Sequence, residues 1–507
     1  MKCRYGNRIK RVSLQSNIYS MEKLTAFVSE HMGDDTTRLI MNRAKWPEID
    51  MDMAVNCIES RRKLKGKVQE WCDEPGLVFP RKLSAEQCSS SATGTYKAEL
   101  AGRICFTGND VIQDNGNQNS CNMPCTSSIE SKKIFRLADL TGGLGVDSWF
   151  FSKKASQVMY CEMLPELCKA AKHNYTILKA DNITVKNTAV ISEAEIVQQS
   201  DNPEYINAEG VSIFQTPAQI FADFKPDIVY MDPARRGEGG KKVFLIEDCT
   251  PDVLTLKDEI FQHTRHILLK LSPMADITMV CDRLGRCCRE VHVVAAGGEC
   301  KELLVWMDRE WDQEYTIHAV ELHKDSEAGV ITFGVAEEKT AMAKPLDIDI
   351  YQEAVRQEEK RIYLFEPGKA LMKAGAFNLV ADRFKIAKLG RSTHYYVFSD
   401  LETNETEASE SESKSSTGSN TVFQTRAQEL KQHGKVFRVI RMEPLDKRTI
   451  KAAGKEFPKA EVTARNIPMD TDTLRKKLGV TSGDDAHIFG LKSDSAGILL
   501  LICSAIR

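Results

Sequence analysis

The chain has 507 residues, 42% of them hydrophobic, which is enough for roughly three folded domains. Its 69 Lys and Arg against 72 Asp and Glu give a net charge of -3, which by itself favours no polyanionic partner. No apolar run approaches the ~20 residues of a membrane helix, and the composition fits neither a collagen-like nor a wholly disordered chain.

Cysteine usage and the N-terminal sequence indicate the compartment. The 15 cysteines are an odd number scattered along the chain, which is typical of reduced intracellular thiols rather than of a disulfide framework. The basic N-terminus continues into polar residues instead of the apolar stretch of a signal peptide. We therefore expect a cytoplasmic protein without a membrane segment.

The first part of the chain is predicted to be helical. Residues 1–100 carry apolar side chains at helical spacing, which predicts an N-terminal helical domain. Residues 101–132 are rich in Asn, Gly and Ser, which favours a flexible insertion. Cys105, Cys121 and Cys125 fall in this stretch, but their spacing is not that of a common zinc site, and we predict no bound metal.

The stretch 133–310 has the pattern of an α/β domain. Short β-branched runs alternate with helical segments, as in a Rossmann-like parallel sheet covered by helices on both faces. The last two strand candidates, REVHVVAA and ELLVWMD, are separated only by GGECK, which is too short for a crossover helix. We therefore predict that this sheet terminates in an antiparallel hairpin.

Three further regions follow. Residues 311–400 are predicted to form an α+β domain, and the Ser- and Glu-rich residues 401–420 a disordered linker. From 421 to 507, four apolar runs around one helical segment predict a small α+β domain. This segment has 16 Lys and Arg against 10 Asp and Glu. That charge favours contact with phosphates, and an ordinary solvated surface is the alternative.

A glycine-rich loop follows the first predicted strand of the α/β domain, in Asp139-Leu-Thr-Gly-Gly-Leu-Gly145. Gly143 and Gly145 allow a sharp turn and a close approach of the backbone to a ligand at a helix N-terminus. A carboxylate here repels the pyrophosphate of a dinucleotide, but it can accept hydrogen bonds from the cationic amino-acid end of S-adenosylmethionine. Asp139, Thr141, Gly143 and Gly145 are therefore predicted to bind this methyl donor. Ser148, at the third position of the dinucleotide pattern, supports that preference.

Glu162 ends the second predicted strand, where a carboxylate can hold both hydroxyl groups of a ribose. This position suits either cofactor class, and a solvent-facing acid at a strand end is the alternative. The third strand ends near Asn187 and Thr188 without an acid, so the adenine contact has no assigned residue.

The segment Asp232-Pro-Ala-Arg235 follows the fourth predicted strand and would face the same crevice. An exocyclic amine that attacks a methylsulfonium must direct its lone pair at the methyl carbon. The Asp232 carboxylate and a neighbouring backbone carbonyl can arrange this by accepting the protons of the amine. We predict Asp232, Pro233, Ala234 and Arg235 as the catalytic segment, and a plain surface turn is the alternative.

These motifs resemble a known family. DLTGGLGVD, the acid of YCE and the DPAR segment are similar to the motifs of class I S-adenosylmethionine-dependent methyltransferases. AEQCSSSATGTYKA, KLSPMAD, GGECKELL, EPGKALMKAGAF and KAEVTARNIP resemble segments of the bacterial methyltransferases that end in a THUMP-like domain, so the resemblance covers most of the chain. It implies a THUMP-like domain at 421–507, similar to RNA-binding domains of RNA-modifying enzymes, and an RNA substrate such as rRNA or tRNA.

The DPAR segment departs from the usual pattern. Methyltransferases of exocyclic base nitrogens usually carry Asp or Asn, Pro, Pro and an aromatic residue that stacks on a flipped base. Here Ala234 and Arg235 occupy the last two positions. We predict Arg235, Arg236 and Lys301 as contacts to the nucleic acid, and arginines in a surface turn are the alternative for the first two.

The combined prediction is an S-adenosylmethionine-dependent methyltransferase that modifies a nitrogen of a base in structured RNA. Methylation of pyrimidine carbon 5 would need a cysteine nucleophile. Cys249 and Cys300 are nearest by strand order, and an unreactive thiol is the simpler interpretation of each. Two other functions stay open: an RNA-binding protein with an inactive methyltransferase fold, and a methyltransferase of a small molecule or protein.

Overall fold

The computed structural model describes residues 14–107, 134–199, 212–235, 245–324, 326–356, 361–399 and 426–506. Residue contacts divide the chain into two compact units. The first contains the described residues up to Leu271 together with 278–287 and 306–311. The second contains 272–277, 288–305 and the described residues from Asp312 onward.

The N-terminal part of the first unit is helical, as predicted. Its helices are α1 Leu14–Glu30, α2 Thr36–Met41, α3 Met51–Leu64, α4 Gln69–Cys72, α5 Lys82–Gln87 and α6 Ser91–Thr107, with a 3-10 turn at Arg43–Lys45. None of the helices in the described ranges has the length and hydropathy to cross a membrane. The cytoplasmic location stays a prediction.

Helix α6 corrects the predicted start of the inserted loop. It continues seven residues beyond residue 100, because Leu100, Ala101 and Ile104 keep the helical spacing of buried side chains. The prediction that the loop begins at residue 101 is therefore wrong. Residues 108–133, which include Cys121 and Cys125, lie outside the described residues.

Alternating strands and helices follow α6. They are β1 Arg136–Asp139, α7 Val146–Ser152, β2 Gln157–Glu162, α8 Pro165–Ile177, β3 Ile183–Asn187, β4 Ala189–Val190, α9 Glu193–Gln199, β5 Phe214–Gln215, α10 Pro217–Ile220, β6 Ile228–Met231, β7 Ala234–Arg235, a 3-10 turn Ile246–Asp248, β8 Cys249–Thr250, α11 Val253–Ile260, β9 His266–Leu271, α12 Ile277–Leu284, β10 Cys288–Ala296 and β11 Glu299–Asp308.

The central sheet of the first unit is parallel and buried. Its strands lie in the order β9-β6-β1-β2-β3, and each neighbouring pair is parallel. All four residues of β6 are buried, as expected for a strand covered on both faces. The order reverses between β1 and β6, which creates a crevice at the carboxyl ends of these strands. The predicted α/β architecture is thus confirmed.

The predicted hairpin is also present. Strands β10 and β11 are neighbours joined only by Gly297 and Gly298, whose φ angles of +61° and +79° suit a tight two-residue hairpin turn. Two strands that were not predicted, β12 Thr316–Leu322 and β13 Gly329–Gly334, continue the sheet beyond this hairpin. Strand β12 pairs in parallel with β10, and β13 pairs antiparallel with β12. The predicted domain boundary at residue 310 therefore does not end the sheet.

The second unit continues after β11 with a second sheet. Its remaining elements are β12 Thr316–Leu322, β13 Gly329–Gly334, α13 Val335–Thr340, α14 Ile348–Arg356, β14 Ile362–Pro367, α15 Lys369–Ala374, α16 Phe377–Phe384, β15 Ala387–Lys388, β16 Tyr396–Ser399, β17 Gly434–Pro444, α17 Lys447–Glu456, β18 Lys459–Arg465, α18 Thr471–Leu478, β19 Thr481–Ser493 and β20 Gly497–Ala505. The second sheet has the order β15-β16-β14-β17-β20-β19-β18.

This second sheet crosses another predicted boundary. Strand β14, in the predicted 311–400 domain, pairs antiparallel with β17 of the predicted 421–507 domain. These two regions therefore share one sheet. The predicted linker at 401–420 lies outside the described residues.

Candidate functional site

A crevice of about 730 Å³ opens at the switch in strand order, and residues that follow β1, β2, β3 and β6 line it. Its charged lining residues are six acids and one base: Asp139, Asp147, Glu162, Glu195, Asp232, Asp252 and Arg81. The lining itself is therefore acidic. Such a site attracts a cation and repels the pyrophosphate of a dinucleotide.

The glycine loop of this crevice is fitted closely to two tyrosines. A Cβ atom on Gly142 would collide with the ring of Tyr160, and one on Gly145 with the hydroxyl of Tyr175. The Tyr160 hydroxyl donates to the Gly143 carbonyl over 2.7 Å, and that of Tyr175 to the Gly145 carbonyl over 2.9 Å. Gly143 and Gly145 have φ angles of +55° and +92°, which favour glycine. Hydrogen bonds from the hydroxyl groups of Tyr160 and Tyr175 therefore hold the backbone of the loop in place. Neither tyrosine was predicted to be part of the site.

Asp139 is at the end of β1 and is only 1% exposed. Its carboxylate accepts hydrogen bonds from the Thr141 amide over 3.0 Å and from the Ser148 hydroxyl over 2.6 Å. Burial raises the pKa of Asp139 to about 7 in spite of these bonds, and the charges of Asp147 and Asp232 add to the effect. A cation in the crevice would favour its ionised form.

Glu162 and Thr141 connect the loop to its neighbours. One oxygen of Glu162 accepts the Gly143 amide over 2.9 Å, and the other accepts the Leu164 amide over 2.8 Å. Burial raises the pKa of Glu162, against the lowering effect of these amides. The Thr141 hydroxyl accepts the amide of Asp232 over 2.6 Å, which ties the loop to the segment after β6.

Asp232 faces the crevice and forms an ion pair. Its side chain is 37% exposed, and its Oδ2 lies 2.6 Å from Nζ of Lys270 at the end of β9. Lys270 belongs to the KLSPMAD segment, but sequence reasoning gave it no role. Pro233 is buried, whereas Ala234 is exposed and lines the crevice.

The predicted arginine contacts are only partly described. The backbone of Arg235 forms the short strand β7, opposite Cys249 in β8. The side chain of Arg235 and the whole of Arg236 lie outside the described residues. Lys301 is in the second unit, where its Nζ lies 2.6 Å from the carboxylate of Glu299. The roles of Arg235, Arg236 and Lys301 stay predictions.

Neither candidate cysteine is among the residues that line the crevice. Cys249 is completely buried, and its thiol contacts the carbonyl of Leu245. Cys300 belongs to the second unit, and burial raises its pKa to about 11. A thiol with a raised pKa is a poor nucleophile near neutral pH.

A lysine from the helical N-terminal part pairs with an acid that lines the crevice, which was not predicted. Lys97 of α6 is completely buried, and its Nζ lies 3.3 Å from Asp147 Oδ1 and 2.8 Å from the Ser89 hydroxyl. The other oxygen of Asp147 accepts the hydroxyls of Ser89 and Tyr230 over 3.0 and 2.9 Å. Against the effect of its burial, the charges of Lys97 and Lys270 lower the pKa of Asp147. The helices before β1 are thus part of the site.

The other end of the crevice is apolar. Val190, Ile191 and Phe214, near β4 and β5, line it together with Thr188. The sequence has no acid for an adenine contact at the end of β3, and these apolar side chains were not predicted to line the crevice. The apolar character of AVI after Thr188 was the available signal.

Two family models match separate regions in the C-terminal part of the chain. Residues 434–505 match the model of a THUMP domain-like family, and residues 363–404 match that of a ferredoxin-like domain. No curated protein matches the chain.

Several solved structures are similar to all or part of this chain. A methyltransferase fold is shared with the crystal structure of a candidate methyltransferase from Porphyromonas gingivalis W83, with 25% identity and a TM-score of 0.68 over 96% of this chain and 99% of that one. A predicted O-methyltransferase from Agrobacterium tumefaciens has 16% identity and a TM-score of 0.24, over 37% of this chain and 80% of that one. An rRNA methylase from Streptococcus thermophilus has 9% identity and a TM-score of 0.23, over 34% of this chain and 87% of that one.

These findings define the class of protein. The chain has a methyltransferase fold with a THUMP-like domain at residues 434–505. The predicted resemblance to bacterial methyltransferases that end in a THUMP-like domain is confirmed.

Proposed function

We propose that the protein transfers a methyl group from S-adenosylmethionine to a nitrogen of a base in structured RNA. The observation that carries the proposal is the acidic lining of the crevice at the strand switch, which contains six acidic side chains and one guanidinium. Lys97 and Lys270 pair with two of these acids, so an excess of acidic groups is left for a cationic ligand. The sulfonium and ammonium groups of the methyl donor are cations that such a lining stabilises.

The residues present fit this donor. Asp139 and Asp147 would receive its ammonium group, because both carboxylates border the crevice beside the glycine loop. Each oxygen of Glu162 accepts one backbone amide and keeps a lone pair for a ribose hydroxyl. The apolar side chains of Val190, Ile191 and Phe214 would cover the adenine ring. When bound, S-adenosylmethionine supplies an activated methyl group.

Asp232 is proposed to position the acceptor. Lys270 pairs with one of its oxygens, which offsets the negative charge and holds the carboxylate in place. A base amine is an uncharged nucleophile, so it needs orientation rather than prior deprotonation. As the nitrogen–methyl bond forms, the sulfur–methyl bond breaks and the amine becomes acidic. Asp232 and the adjoining backbone from Pro233 to Arg235 would accept its hydrogen bonds and pass the proton to solvent.

RNA as the substrate is supported by the C-terminal module. The THUMP-like match covers residues 434–505, and two helices of this region expose basic side chains. These are Lys447, Arg448, Lys451 and Lys455 on α17 and Lys476 and Lys477 on α18. Arg235, Arg236 and Lys301 are proposed as further RNA contacts.

Mass spectrometry of nucleosides tests the proposal. RNA from cells that lack the protein should lose one methylated nucleoside, which the purified protein and S-adenosylmethionine should restore in vitro. Asp232→Ala should reduce that restoration by about 10²–10⁴-fold, the usual contribution of a group that assists proton transfer. An unchanged nucleoside profile, with methylation of protein or small molecules instead, would contradict an RNA substrate. RNA binding without any methyl transfer would indicate an inactive enzyme.

A further inference from the structure

One carboxylate and two imidazoles form a compact cluster in the second unit, on two neighbouring strands. Glu290 and His292 are two residues apart on β10, so their side chains lie on the same face of the strand. His318 of β12 is the direct cross-strand partner of His292. One potential metal-binding atom from each of the three residues lies within 4.8 Å of the other two.

The spacing within this cluster is close to that of metal ligands. Glu290 Oε2 lies 3.0 Å from His292 Nε2 and 3.3 Å from His318 Nε2. Ligands of a tetrahedral zinc ion at about 2.0–2.1 Å are separated from one another by about 3.3 Å. Two of the three ligand separations are therefore already suitable.

The surroundings supply the usual outer partner of a metal-bound imidazole. Thr332 Oγ1 lies 2.8 Å from His318 Nδ1, so it can accept the Nδ1 proton when Nε2 coordinates a metal. The two imidazole rings lie parallel, with centroids 4.3 Å apart and an angle of 8°. Coordination by both Nε2 atoms therefore requires at least one ring to turn about its Cβ–Cγ bond.

Charge provides a second argument. Glu290 and His292 are both buried, and a buried carboxylate is stable only with compensating hydrogen bonds or positive charge. A metal ion held by the carboxylate and both imidazoles supplies that charge without protonating either ring. It would also link β10 to β12.

We propose that Glu290, His292 and His318 bind a divalent transition-metal ion, with zinc as the ion that best matches one carboxylate and two imidazoles. Water would complete the coordination. Because its ligands come from two paired strands, we assign this site the role of stabilising the pairing of β10 with β12.

Metal titration of the full-length protein tests this site. After removal of metal with a chelator, wild-type protein should bind one zinc ion per chain in competition with a chromophoric chelator, and its unfolding temperature should rise. His318→Ala and Glu290→Gln should each weaken binding at least 100-fold. His323→Ala, in the same unit but outside the cluster, is the matched control and should bind zinc as wild type does.

Cobalt distinguishes this site from adventitious binding at the many thiols. The cobalt-loaded wild-type protein should show visible bands of a nitrogen- and oxygen-ligated ion without an intense thiolate charge-transfer band, and His318→Ala should lose them. The inference is overturned if the stripped wild-type protein takes up no zinc, or if His318→Ala and Glu290→Gln bind it as tightly as the His323→Ala control.

Discussion

At the scale of a single residue, the ionisation of Asp139 makes the charge of the crevice depend on pH. Burial raises its pKa to about 7, so it is mostly protonated at pH 6 and mostly ionised at pH 8. A cationic ligand binds the ionised form better, so affinity for S-adenosylmethionine should rise with pH by up to about tenfold across this range. Asp139→Asn should remove this rise, because an amide side chain does not titrate. The variant should keep the local structure, since the Ser148 hydroxyl can turn to accept a hydrogen bond from the new amide. Calorimetric titrations at both pH values test this, and equal pH dependence in both proteins would contradict it.

Glu162 is expected to serve both the loop and the ligand. In wild-type protein the two oxygens of Glu162 accept the backbone N–H groups of Gly143 and Leu164. In Glu162→Gln one of these oxygens is replaced by an NH2 group, which cannot accept a hydrogen bond, so one of the two N–H groups loses its partner. The ribose hydroxyls also lose a charged acceptor. Loss of a hydrogen bond to a charged group costs about 1.5–3 kcal/mol, which corresponds to affinity for S-adenosylhomocysteine about 10- to 150-fold lower. Asp181→Asn, an exposed acid outside the crevice lining, is the control and should bind normally.

Lys97 is predicted to be essential for stability. Lys97→Met leaves the Asp147 charge buried without its nearest ammonium group, which should cost about 3–5 kcal/mol and lower the unfolding temperature by several degrees. The double variant Lys97→Met with Asp147→Asn should recover part of the loss, since neither charge is then left alone. A single variant as stable as wild type, measured by scanning calorimetry, would contradict this role.

At the scale of elements, substitutions of two glycines in the same loop should differ in their effects: one should mainly lower stability, and the other should mainly weaken ligand binding. A methyl group in Gly145→Ala collides with the Tyr175 hydroxyl, so the fold should lose about 2 kcal/mol or more. Gly143→Ala meets no close neighbour, so it should cost only about 1–2 kcal/mol through its positive φ, yet weaken binding of S-adenosylhomocysteine more than tenfold. Thermal unfolding and calorimetry of both variants separate the two effects. Equal losses of stability would contradict the packing argument.

Local sequence predicted some elements better than others. Strands β2, β6 and β9 were predictable because each is a buried apolar run bounded by polar residues. Helix α17 was missed, since KRTIKAAGKE has few apolar positions. Its packing depends on Gly454, where a Cβ would collide with the Leu478 carbonyl of α18. The pairing of β14 with β17 was missed as well, because it joins segments that are far apart in the sequence.

The candidate site was likewise only partly predictable. Asp139, Glu162 and Asp232 were predicted because each directly follows an apolar run that reads as a strand. The sequence around Lys97 and Lys270 does not distinguish them from other lysines. Lys97 pairs with Asp147, and Lys270 pairs with Asp232, only because of how α6 and β9 pack in the folded protein. A resemblance that includes AEQCSSSATGTYKA and KLSPMAD pointed to both segments without giving either lysine a role.

At the scale of the whole molecule, RNA binding and methyl-donor binding should be separable. Charge reversal of Lys451, Lys455, Lys476 and Lys477 to Glu should weaken RNA binding for all sequences alike and reduce its salt dependence by about one unit of slope per lost phosphate contact. Affinity for S-adenosylmethionine should not change. Filter binding over a range of salt concentrations tests this. If the RNA affinity and its dependence on salt concentration are both unchanged, the THUMP-like domain does not contact the RNA.

Equilibrium dialysis of the full-length protein against radiolabelled S-adenosylmethionine tests the central claim most directly. The acidic crevice predicts saturable binding of a single molecule per chain, displaced by S-adenosylhomocysteine but not by NAD, and lost in Asp139→Ala. Folded wild-type protein that retains no S-adenosylmethionine, or from which NAD displaces it, would contradict the account.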